Sequence, residues 1–337
     1  MRETDRVPLP DAPQIRELVF RRFRGEADYP HMLSVLEAHT IGHGIEYANS
    51  LEEIKFVFSH LTNCDPFRDV LIAEVNGEAI AFSRVWWETL EDGVRLYKSL
   101  GFLAPIWQRR GIGTAMLRYN ERRLHAIASR HPADAPKYFQ GWASDREVPA
   151  HALFAASGYR VVRTMLAMVR PATAPIDEAP LPEGFEVRPV QPHHFRAIWE
   201  ARQEAYRDHW GFAPGDEQAY QRWLEQRSFT AELWKVAWDG KQVAGMVLNR
   251  VNEAENVKYG RKRGWTQDVF VRRPWRRRGL ARSLLSQSIE MFLDMGMEET
   301  ALGVDADNPS GALALYEAAG YRISGKHTIY RKAMQQV

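Results

Sequence analysis

Apolar and polar positions follow the same pattern in two distant segments of the chain. The first segment reads VLIAEVNGEAIAFSRVWW and begins at Val70, and the second reads LWKVAWDGKQVAGMVLNRV and begins at Leu233. In each segment, two apolar runs flank a dipeptide, Asn76–Gly77 or Asp239–Gly240. Both dipeptides favour tight turns, because glycine accepts a positive φ. The pattern therefore predicts one antiparallel β-hairpin in each half.

The order of elements after each hairpin is also repeated. A third apolar strand, YKSLGFL or WTQDVFV, leads to an arginine–glycine turn, and an amphipathic helix follows, TAMLRYNERRLHAIASR or ARSLLSQSIEMFLDMGM. Each half then closes with a short helix that ends in Gly-Tyr. Three pairs of matched glycines lie 163, 168 and 162 residues apart: Gly77 and Gly240, Gly111 and Gly279, and Gly158 and Gly320. The near-constant separation predicts a duplicated domain.

The two copies are joined by the segment RPATAPIDEAPLPEG, which is rich in proline and alanine and lacks apolar periodicity. We therefore predict a first domain at residues 1–170, a linker at 171–184 and a second domain at 185–337. The mixed order of helices, hairpin and strand–helix–strand units predicts the α/β (α+β) class. Each domain is expected to hold a mixed, mostly antiparallel sheet flanked by helices.

Composition and charge limit the classes of function. The chain has 337 residues, 45% hydrophobic and 26% charged, as in globular proteins. The net charge is only +2, so the five arginines of RRPWRRRGLA (272–281) are a local feature, which argues against a nucleic-acid binder. The single cysteine, Cys64, excludes an internal disulfide framework. The N-terminus shows no apolar signal segment and no apolar run could span a bilayer, so we expect a cytoplasmic protein without a membrane partner.

The arginine–glycine turns have the composition of a phosphate-binding loop. The first turn of a helix carries unpaired N–H groups and a partial positive charge, and small residues let a phosphate approach them closely. Gly279 and Ala281 occupy these positions in RRRGLA, and Gly111 and Gly113 occupy them in QRRGIG. Flanking arginines add charge-assisted hydrogen bonds to phosphate oxygens. This pattern suits a pyrophosphate better than a long duplex.

The second half resembles the GNAT superfamily of acyl-CoA N-acyltransferases, and the first half resembles it more weakly. The segment DVFVRRPWRRRGLARSLL is similar to the family's loop pattern Gln/Arg-x-x-Gly-x-Gly/Ala, which Gln108, Gly111 and Gly113 also match. The later Asn-x-x-Ala-x-x-x-Tyr pattern has close counterparts in Asn308 and Tyr316. The resemblance implies two tandem GNAT domains and transfer of an acetyl group from acetyl-CoA, without a metal, to a primary amine.

The resemblance also implies which residues contact the co-substrate. In the family, two central strands splay apart and pantetheine lies between them. The strand positions implied to contact pantetheine are Val269, Phe270 and Val271 in the second half and Phe102 and Leu103 in the first. The pyrophosphate would be held by Arg276, Arg277, Arg278, Gly279, Leu280, Ala281 and Arg282, with Asn308 nearby, and in the first half by Gln108, Arg109, Arg110, Gly111, Ile112, Gly113 and Thr114.

The catalytic groups are expected in the second half. The resemblance implies that the Tyr316 hydroxyl protonates the departing thiolate, whereas Phe154 at the matching position has no proton to give. Asp268 either accepts the amine proton or simply pairs with a neighbouring arginine. His209 either binds the acceptor or packs in the core. We therefore expect the first half to be a degenerate copy that binds CoA.

Several alternatives remain open from the sequence. The first half could act by a base-only mechanism, or the whole chain could be a non-catalytic CoA-binding or interaction protein. His39 and His43 are four residues apart, but Gly42 and Gly44 are expected to weaken the helix that would align them for a metal. The segment RRFR, residues 21–24, is interpreted as a solvated face.

Overall fold

The computed structural model describes residues 5–48, 50–226 and 229–335, and it divides into two compact units. Unit 1 comprises Met1–Val162 and Thr328–Val337, and unit 2 comprises Arg163–His327. Strand β6 (Arg160–Pro171) therefore begins in unit 1 and continues in unit 2, whereas strand β12 (Arg322–Ala333) begins in unit 2 and ends in unit 1. Within the described segments, no helix is long and apolar enough to cross a membrane.

Unit 1 is a sheet with helices on both faces. Its strand order is β1-β2-β3-β4-β5, followed by the end of β12. The strands are β1 (Leu18–Arg22), β2 (Val70–Val75), β3 (Glu78–Thr89), β4 (Arg95–Leu103) and β5 (Lys137–Ser144). The helices are α1 (Tyr29–His43), α2 (Leu51–Ser59), α3 (Pro66–Asp69), α4 (Ile112–Ala128) and α5 (Val148–Ala156).

Unit 2 repeats this arrangement, with the strand order β7-β8-β9-β10-β11-β6 followed by the start of β12. Its further strands are β7 (Glu186–Val187), β8 (Lys235–Asp239), β9 (Gln242–Val251), β10 (Arg263–Val271) and β11 (Glu299–Asp305). The helices are α6 (Phe195–Tyr206), α7 (Glu217–Glu225), α8 (Glu253–Tyr259), α9 (Leu280–Asp294) and α10 (Ala312–Ala318). The predicted class, a mixed and mostly antiparallel sheet flanked by helices, is confirmed.

In each unit, one parallel pair of strands separates halfway along its length. β4 pairs with β5 only from Arg95 to Lys98, although β4 continues to Leu103. β10 pairs with β11 only from Arg263 to Thr266, although β10 continues to Val271. A register shift between Thr266 and Asp268 marks the point of separation in unit 2. The second half of each strand is thus left without a ladder partner on that side.

The predicted hairpins are present, but the second turn is shifted by one residue. Asn76 and Gly77 form the first turn, with φ values of 52° and 83°. In the second hairpin, Asp239 is still paired with Gln242, so the turn consists of Gly240 and Lys241, with φ of 58° at Gly240. The carboxylate of Asp239 is used instead to accept a hydrogen bond from the Trp275 ring at 2.8 Å.

Two interpretations of unit 1 were wrong in part, since Arg22 and Arg24 of RRFR are exposed as expected and Gly44 does end helix α1. Arg21 is not solvated: it is 1% exposed and binds Asp28 through two hydrogen bonds of 2.8 Å and Glu74 through one of 2.6 Å. Two carboxylates compensate the buried guanidinium, a pairing that residue type alone does not reveal. Helix α1 also runs through Gly42 as far as His43, because Gly42 packs against Pro105, where a Cβ would come within 2.2 Å of the proline ring.

Candidate active site and phosphate loops

The two arginine–glycine turns have the same backbone geometry. Arg109 and Gly111 have φ values of 62° and 86° in unit 1, and Arg277 and Gly279 have 63° and 83° in unit 2. Helix α4 begins directly after Gly111, and α9 begins directly after Gly279. No described side chain caps the first turn of either helix, so its N–H groups remain available to an anion. Both loops therefore present unpaired N–H groups, which an anion site requires.

Most of the positive charge around the second loop is neutralised within unit 2. Arg272 pairs with Glu204 at 2.5 Å, and Arg273 and Arg276 both pair with Asp208. Arg273 and Arg276 hold the pKa of Asp208 well below its usual range, and the hydrogen bond from Arg273 has the larger effect. Arg277 and Arg278 are exposed and have no carboxylate partner among the residues that the structure describes. The positive charge without a described carboxylate partner around the second loop therefore lies on Arg277 and Arg278.

The first residue of each phosphate-loop motif is tied to the preceding strand in the same way. Gln108 donates to the carbonyl of Leu103 at 3.1 Å, and Arg276 donates to the carbonyl of Val271 at 2.9 Å. Gln108 also bonds His43, the last residue of α1, at 2.8 Å. Arg276 bonds Asp208, two residues after the end of α6, at 2.6 Å. The two copies thus position their loops with equivalent contacts made by different residue types.

Asp268 is held by two side chains of α6. It is 8% exposed, Tyr206 donates to its Oδ1 at 2.5 Å, and the Arg202 Nε donates to its Oδ2 at 2.8 Å. Burial and then the charge of Asp268 raise the pKa of Tyr206 well above its usual value. The sequence left two interpretations of Asp268 open. The structure shows the pairing with an arginine. Each carboxylate oxygen still has a lone pair that can accept a proton, as a base requires.

Tyr316 lies on α10 in the core of unit 2, 5% exposed, with its ring 6.1 Å from that of Tyr321. Burial, the neighbouring Tyr321 and the charge of Asp268 raise the pKa of Tyr316 above its usual value. None of the described residues hydrogen-bonds to its hydroxyl. His209 stacks on Tyr206 at 4.4 Å, and burial lowers the pKa of His209. Tyr316, Tyr206 and Asp268 therefore influence one another electrostatically in one region of unit 2.

The other predicted contact residues of unit 2 lie around this region. Val269, Phe270 and Val271 form the part of β10 beyond its pairing with β11, and Phe270 is buried. Leu280 is buried at the start of α9, and Ala281 and Arg282 follow in its first turn. Arg282 pairs with Asp177. The carbonyl of the Asn308 side chain accepts a bond from the Ser310 N–H at 2.8 Å, so Asn308 shapes the turn before α10.

Unit 1 contains a cavity of about 760 Å³ at the point where β4 and β5 separate. Leu103 and Phe102 line it from β4, and the loop contributes Gln108, Arg109, Gly111, Gly113 and Thr114. Arg110 lies beside the loop, stacked over Trp107 at 5.0 Å, and Ile112 is buried in the first turn of α4. Phe154 also lines the cavity and stacks on Tyr330 at 4.9 Å. The cavity therefore brings together most of the residues predicted to contact CoA in the first half, but not Arg110 or Ile112.

Two histidines lie at one end of this region: His39 lines the cavity, and His43 contacts the loop through Gln108. His39 bonds Glu147 at 2.9 Å and the Leu103 carbonyl at 3.3 Å, and His43 bonds the Arg146 carbonyl at 3.1 Å. Among the residues that the structure describes, no cluster of three His, Cys, Asp or Glu side chains could hold a metal ion. The histidines instead link α1 to the phosphate loop and to the segment before α5.

Arg202, Tyr206, Glu204 and Asp208 were missed in the sequence. All four lie in or just after α6, whereas their partners lie on β10 and the loop that follows, 62 to 68 residues away. The YRDH segment contained a signal, since it places an aromatic and an acidic residue directly at the end of α6, next to His209. Only the packing of α6 against β10 shows which residues they meet.

Comparisons with known proteins agree with this geometry. The model of the Acetyltransferase (GNAT) family matches residues 195–321. The mycothiol acetyltransferase of Thermomonospora curvata is 31% identical over 224 residues, which cover 64% of this chain and 67% of that protein. A solved GCN5-related N-acetyltransferase from Sphaerobacter thermophilus is 26% identical, with a TM-score of 0.72 and 98% of both chains covered. A tandem GNAT protein from the clavulanic acid biosynthesis pathway shares the fold at 15% identity, with a TM-score of 0.68 over 95% of this chain and 100% of that one.

These likenesses confirm the predicted family, its tandem organisation and its acetyltransferase activity. The family match lies in unit 2, and the likeness to solved structures extends over nearly the whole chain. Acetyl-CoA is the acetyl donor of GNAT acetyltransferases, and unpaired N–H groups at a helix start are of the kind that bind phosphate. The chain belongs to the GNAT acetyltransferase family and is an N-acetyltransferase.

Proposed function

We propose that unit 2 transfers the acetyl group of acetyl-CoA directly to a primary amine. The neutral amine nitrogen attacks the thioester carbonyl carbon, a C–N bond forms, and the C–S bond breaks to release CoA. The observation that carries this proposal is the position of Asp268. It lies on the separated part of β10, three residues before the strand ends and the uncapped phosphate loop follows, and its charge acts on Tyr316.

Binding of acetyl-CoA in unit 2 is assigned to the backbone of one strand and one loop. The unpaired side of Val269, Phe270 and Val271 offers peptide groups to pantetheine, as the resemblance to the family implies. The N–H groups between Arg276 and Arg282 face the pyrophosphate, with Arg277 and Arg278 as the free cations. Asn308 borders the site through the turn before α10.

Proton transfer is assigned to two side chains. Asp268 accepts the proton that the attacking nitrogen loses, either directly or through a water molecule. Tyr316 donates its hydroxyl proton to the CoA sulfur as the C–S bond breaks. Because the pKa of Tyr316 is raised, its hydroxyl remains protonated at neutral pH and can serve as the donor. The proton count is balanced, since one proton leaves the amine and one reaches the thiolate.

The acceptor is assigned to the class of small-molecule primary amines. His209, stacked on Tyr206 beside Asp268, is the residue that we assign to the acceptor wall. The name of the Thermomonospora curvata relative makes an amine related to mycothiol the first acceptor to test. A peptide terminus and a lysine side chain are the second class of acceptor.

We assign CoA binding without acetyl transfer to unit 1. Its cavity of about 760 Å³ holds a phosphate loop with the same φ values as that of unit 2. The Phe154 ring stands in the cavity where the resemblance implies an acid in an active copy, and it has no ionisable group. Unit 1 would thus retain the nucleotide site and lack the proton donor.

The proposal is tested by measuring CoA release from acetyl-CoA with a thiol reagent in the presence of a panel of amines. The panel contains the unacetylated amine that corresponds to mycothiol, simple amino sugars, lysine and a peptide with a free terminus. Amine-dependent release by the wild type, lost in a Tyr316→Phe/Asp268→Asn variant that still binds CoA, is expected. Equal release by the variant would contradict the assignment of the chemistry to these two residues.

A further inference from the structure

Equivalent strand positions in the two units differ in charge on the sheet face that packs against α1 and α2 in unit 1 and against α6 in unit 2. Leu248 of β9 is paired with Asp268 of β10 in unit 2, and the same step of the ladder in unit 1 pairs Arg84 of β3 with Leu100 of β4. The match follows from the registers, since Phe270 and Phe102 lie two residues further along β10 and β4, respectively. Unit 1 therefore has a cation on the strand next to the one where unit 2 has its carboxylate.

Arg84 has no acidic partner in the part of the chain that the structure describes. None of the described carboxylates forms an ion pair or hydrogen bond with it, although it is only partly exposed. Burial lowers the pKa of Arg84, because water solvates the guanidinium incompletely. The fold itself does not require a cation here, because Leu248 fills the matching position in unit 2.

Aromatic side chains surround this cation. The Arg84 guanidinium lies 4.8 Å from the ring of Trp86 and 6.0 Å from that of Phe58 on α2. Trp86 contacts Trp142 edge to face at 5.7 Å. These distances place the guanidinium within cation–π range of both rings, and no described carboxylate pairs with its N–H groups.

The arginine site is adjacent to the cavity of unit 1. Trp142 and Leu100, the strand partner of Arg84, both line that cavity, as do Phe102 and His39. A ligand held by Arg84 would therefore lie beside the separated end of β4, on the α1 and α2 side of the sheet. This is the side on which Asp268 meets Arg202 and Tyr206 in unit 2.

We infer that unit 1 binds an organic carboxylate at Arg84, with the apolar or aromatic body of that ligand against Trp86, Phe58 and Trp142. Arginine matches the two oxygens of a carboxylate in a bidentate geometry, and the site is too apolar for a strongly hydrated inorganic anion. The charge in this region is positive in unit 1, from Arg84, and negative in unit 2, from Asp268. Unit 1 is therefore suited to a different ligand from the amine acceptor. The inference goes beyond the proposed function and does not depend on where acetyl transfer occurs.

Ligand-observed NMR on the full-length protein tests this inference with benzoate as the probe and benzamide as its uncharged analogue. Benzoate should bind the wild type, and Arg84→Met should weaken that binding by at least about tenfold, as expected for loss of a charge-assisted pair. Arg188→Met is the matched control, because Arg188 also lies over a tryptophan, Trp238, at 5.4 Å, but in unit 2. This control should bind benzoate as the wild type does.

A thermal melt separates a ligand role from a structural one. Because Arg84 has no described ion pair to lose, Arg84→Met should leave the Tm unchanged or raise it. Wild-type affinity of Arg84→Met for benzoate, or equal binding of benzamide and benzoate, would overturn the inference. So would the absence of benzoate binding at millimolar concentration. Displacement of benzoate by an equal concentration of inorganic phosphate would overturn the assignment to a carboxylate.

Discussion

The Tyr316 hydroxyl is buried, and its raised pKa keeps it protonated at neutral pH but also makes it a weaker acid. Burial is the main cause of the raised pKa, and Tyr321 and Asp268 add to it. A group with such a pKa does not ionise at the pH at which an acetyltransferase works. A thiol has a pKa of about 8.5, so a free thiolate is a weaker base than the phenolate of Tyr316, and we expect the proton to be transferred as the C–S bond breaks.

Replacing Tyr316 with phenylalanine removes the proton and keeps the ring. The kcat is expected to fall by about 10²- to 10⁴-fold, the usual contribution of general acid catalysis. The KM for acetyl-CoA should change little, because the lost interaction acts mainly in the transition state. Steady-state kinetics with acetyl donors of different thiol pKa provide the measurement. A defect that stays constant as the leaving thiol becomes more acidic would contradict the acid role.

Arg202 is expected to position and neutralise Asp268 rather than to contact the substrate. The two side chains are 25% and 11% exposed, and their ion pair is 2.8 Å long. Arg202→Met leaves a carboxylate without its counter-charge, which should destabilise unit 2 by about 3 kcal/mol, the low end for a buried pair because the guanidinium is partly exposed. Chemical denaturation of the variant measures this change.

A double variant separates this electrostatic effect from simple loss of packing. Arg202→Met combined with Asp268→Asn removes both charges, and it should recover much of the stability lost in Arg202→Met alone. Arg202→Lys, which restores a cation, should be more stable than Arg202→Met. If the double variant is less stable than Arg202→Met by the full effect of Asp268→Asn, the two side chains are not coupled.

The residues of the candidate site differed in how far sequence could define them. Tyr316 and Gly279 lie within short motifs, so spacing along the chain was enough to select them. The partners of Asp268 come from α6, 62 and 66 residues earlier. Arg84 carries no motif, and only the folded chain shows that none of the described carboxylates pairs with it. The sequence thus predicted the residues that lie in short motifs, but it did not predict contacts between residues that are distant along the chain.

At the level of elements, the turn into α9 depends on one residue with a positive φ. Gly279→Val should strain the backbone, since φ is 83° there, and it should project a side chain toward the N–H groups of the first turn. We expect acetyl-CoA binding by unit 2 to weaken by at least tenfold, about 1.4 kcal/mol. Isothermal titration calorimetry on the folded variant provides the measurement.

Gly296→Val is the matched control for the loop variant. Gly296 follows α9 at its other end and has φ of 75°, and a Cβ added there would meet no described atom within 4 Å. The two substitutions therefore impose similar backbone strain on the same helix. Equal weakening of CoA binding in both variants would attribute the effect to helix strain rather than to the phosphate loop.

Elements were more predictable from the sequence where a local signal marked their ends. The helices after both loops begin at Ile112 and Leu280, directly after the glycines of the motif. Asp239–Gly240 predicted a hairpin in the right place, but Asp239 is still paired in the strand and its carboxylate binds Trp275. Buried pairing of Arg21 and the tight packing of Gly42 on Pro105 also overrode local preferences.

At the scale of the whole molecule, the repeat was visible in the sequence, but the distribution of strands between the units was not. The separation of matched glycines depends only on position along the chain. The assignment of Thr328–Val337 to unit 1 depends on contacts with residues almost 200 positions away, such as that of Arg331 with Gln140 at 2.8 Å. Such non-local pairing leaves no short pattern, because any apolar strand of suitable length could form it.

The duplication predicts two CoA sites with one centre of acetyl transfer. Gly111→Val should abolish CoA binding in unit 1, because φ is 86° at the start of α4, and it should leave much of the turnover. Gly279→Val should have the opposite effect, with CoA still bound in unit 1 and turnover lost. Calorimetry should therefore show two sites in the wild type and one in each variant, whereas kinetics should separate the two variants. Loss of turnover in Gly111→Val while unit 2 binds CoA normally would place the chemistry, or an essential control of it, in unit 1.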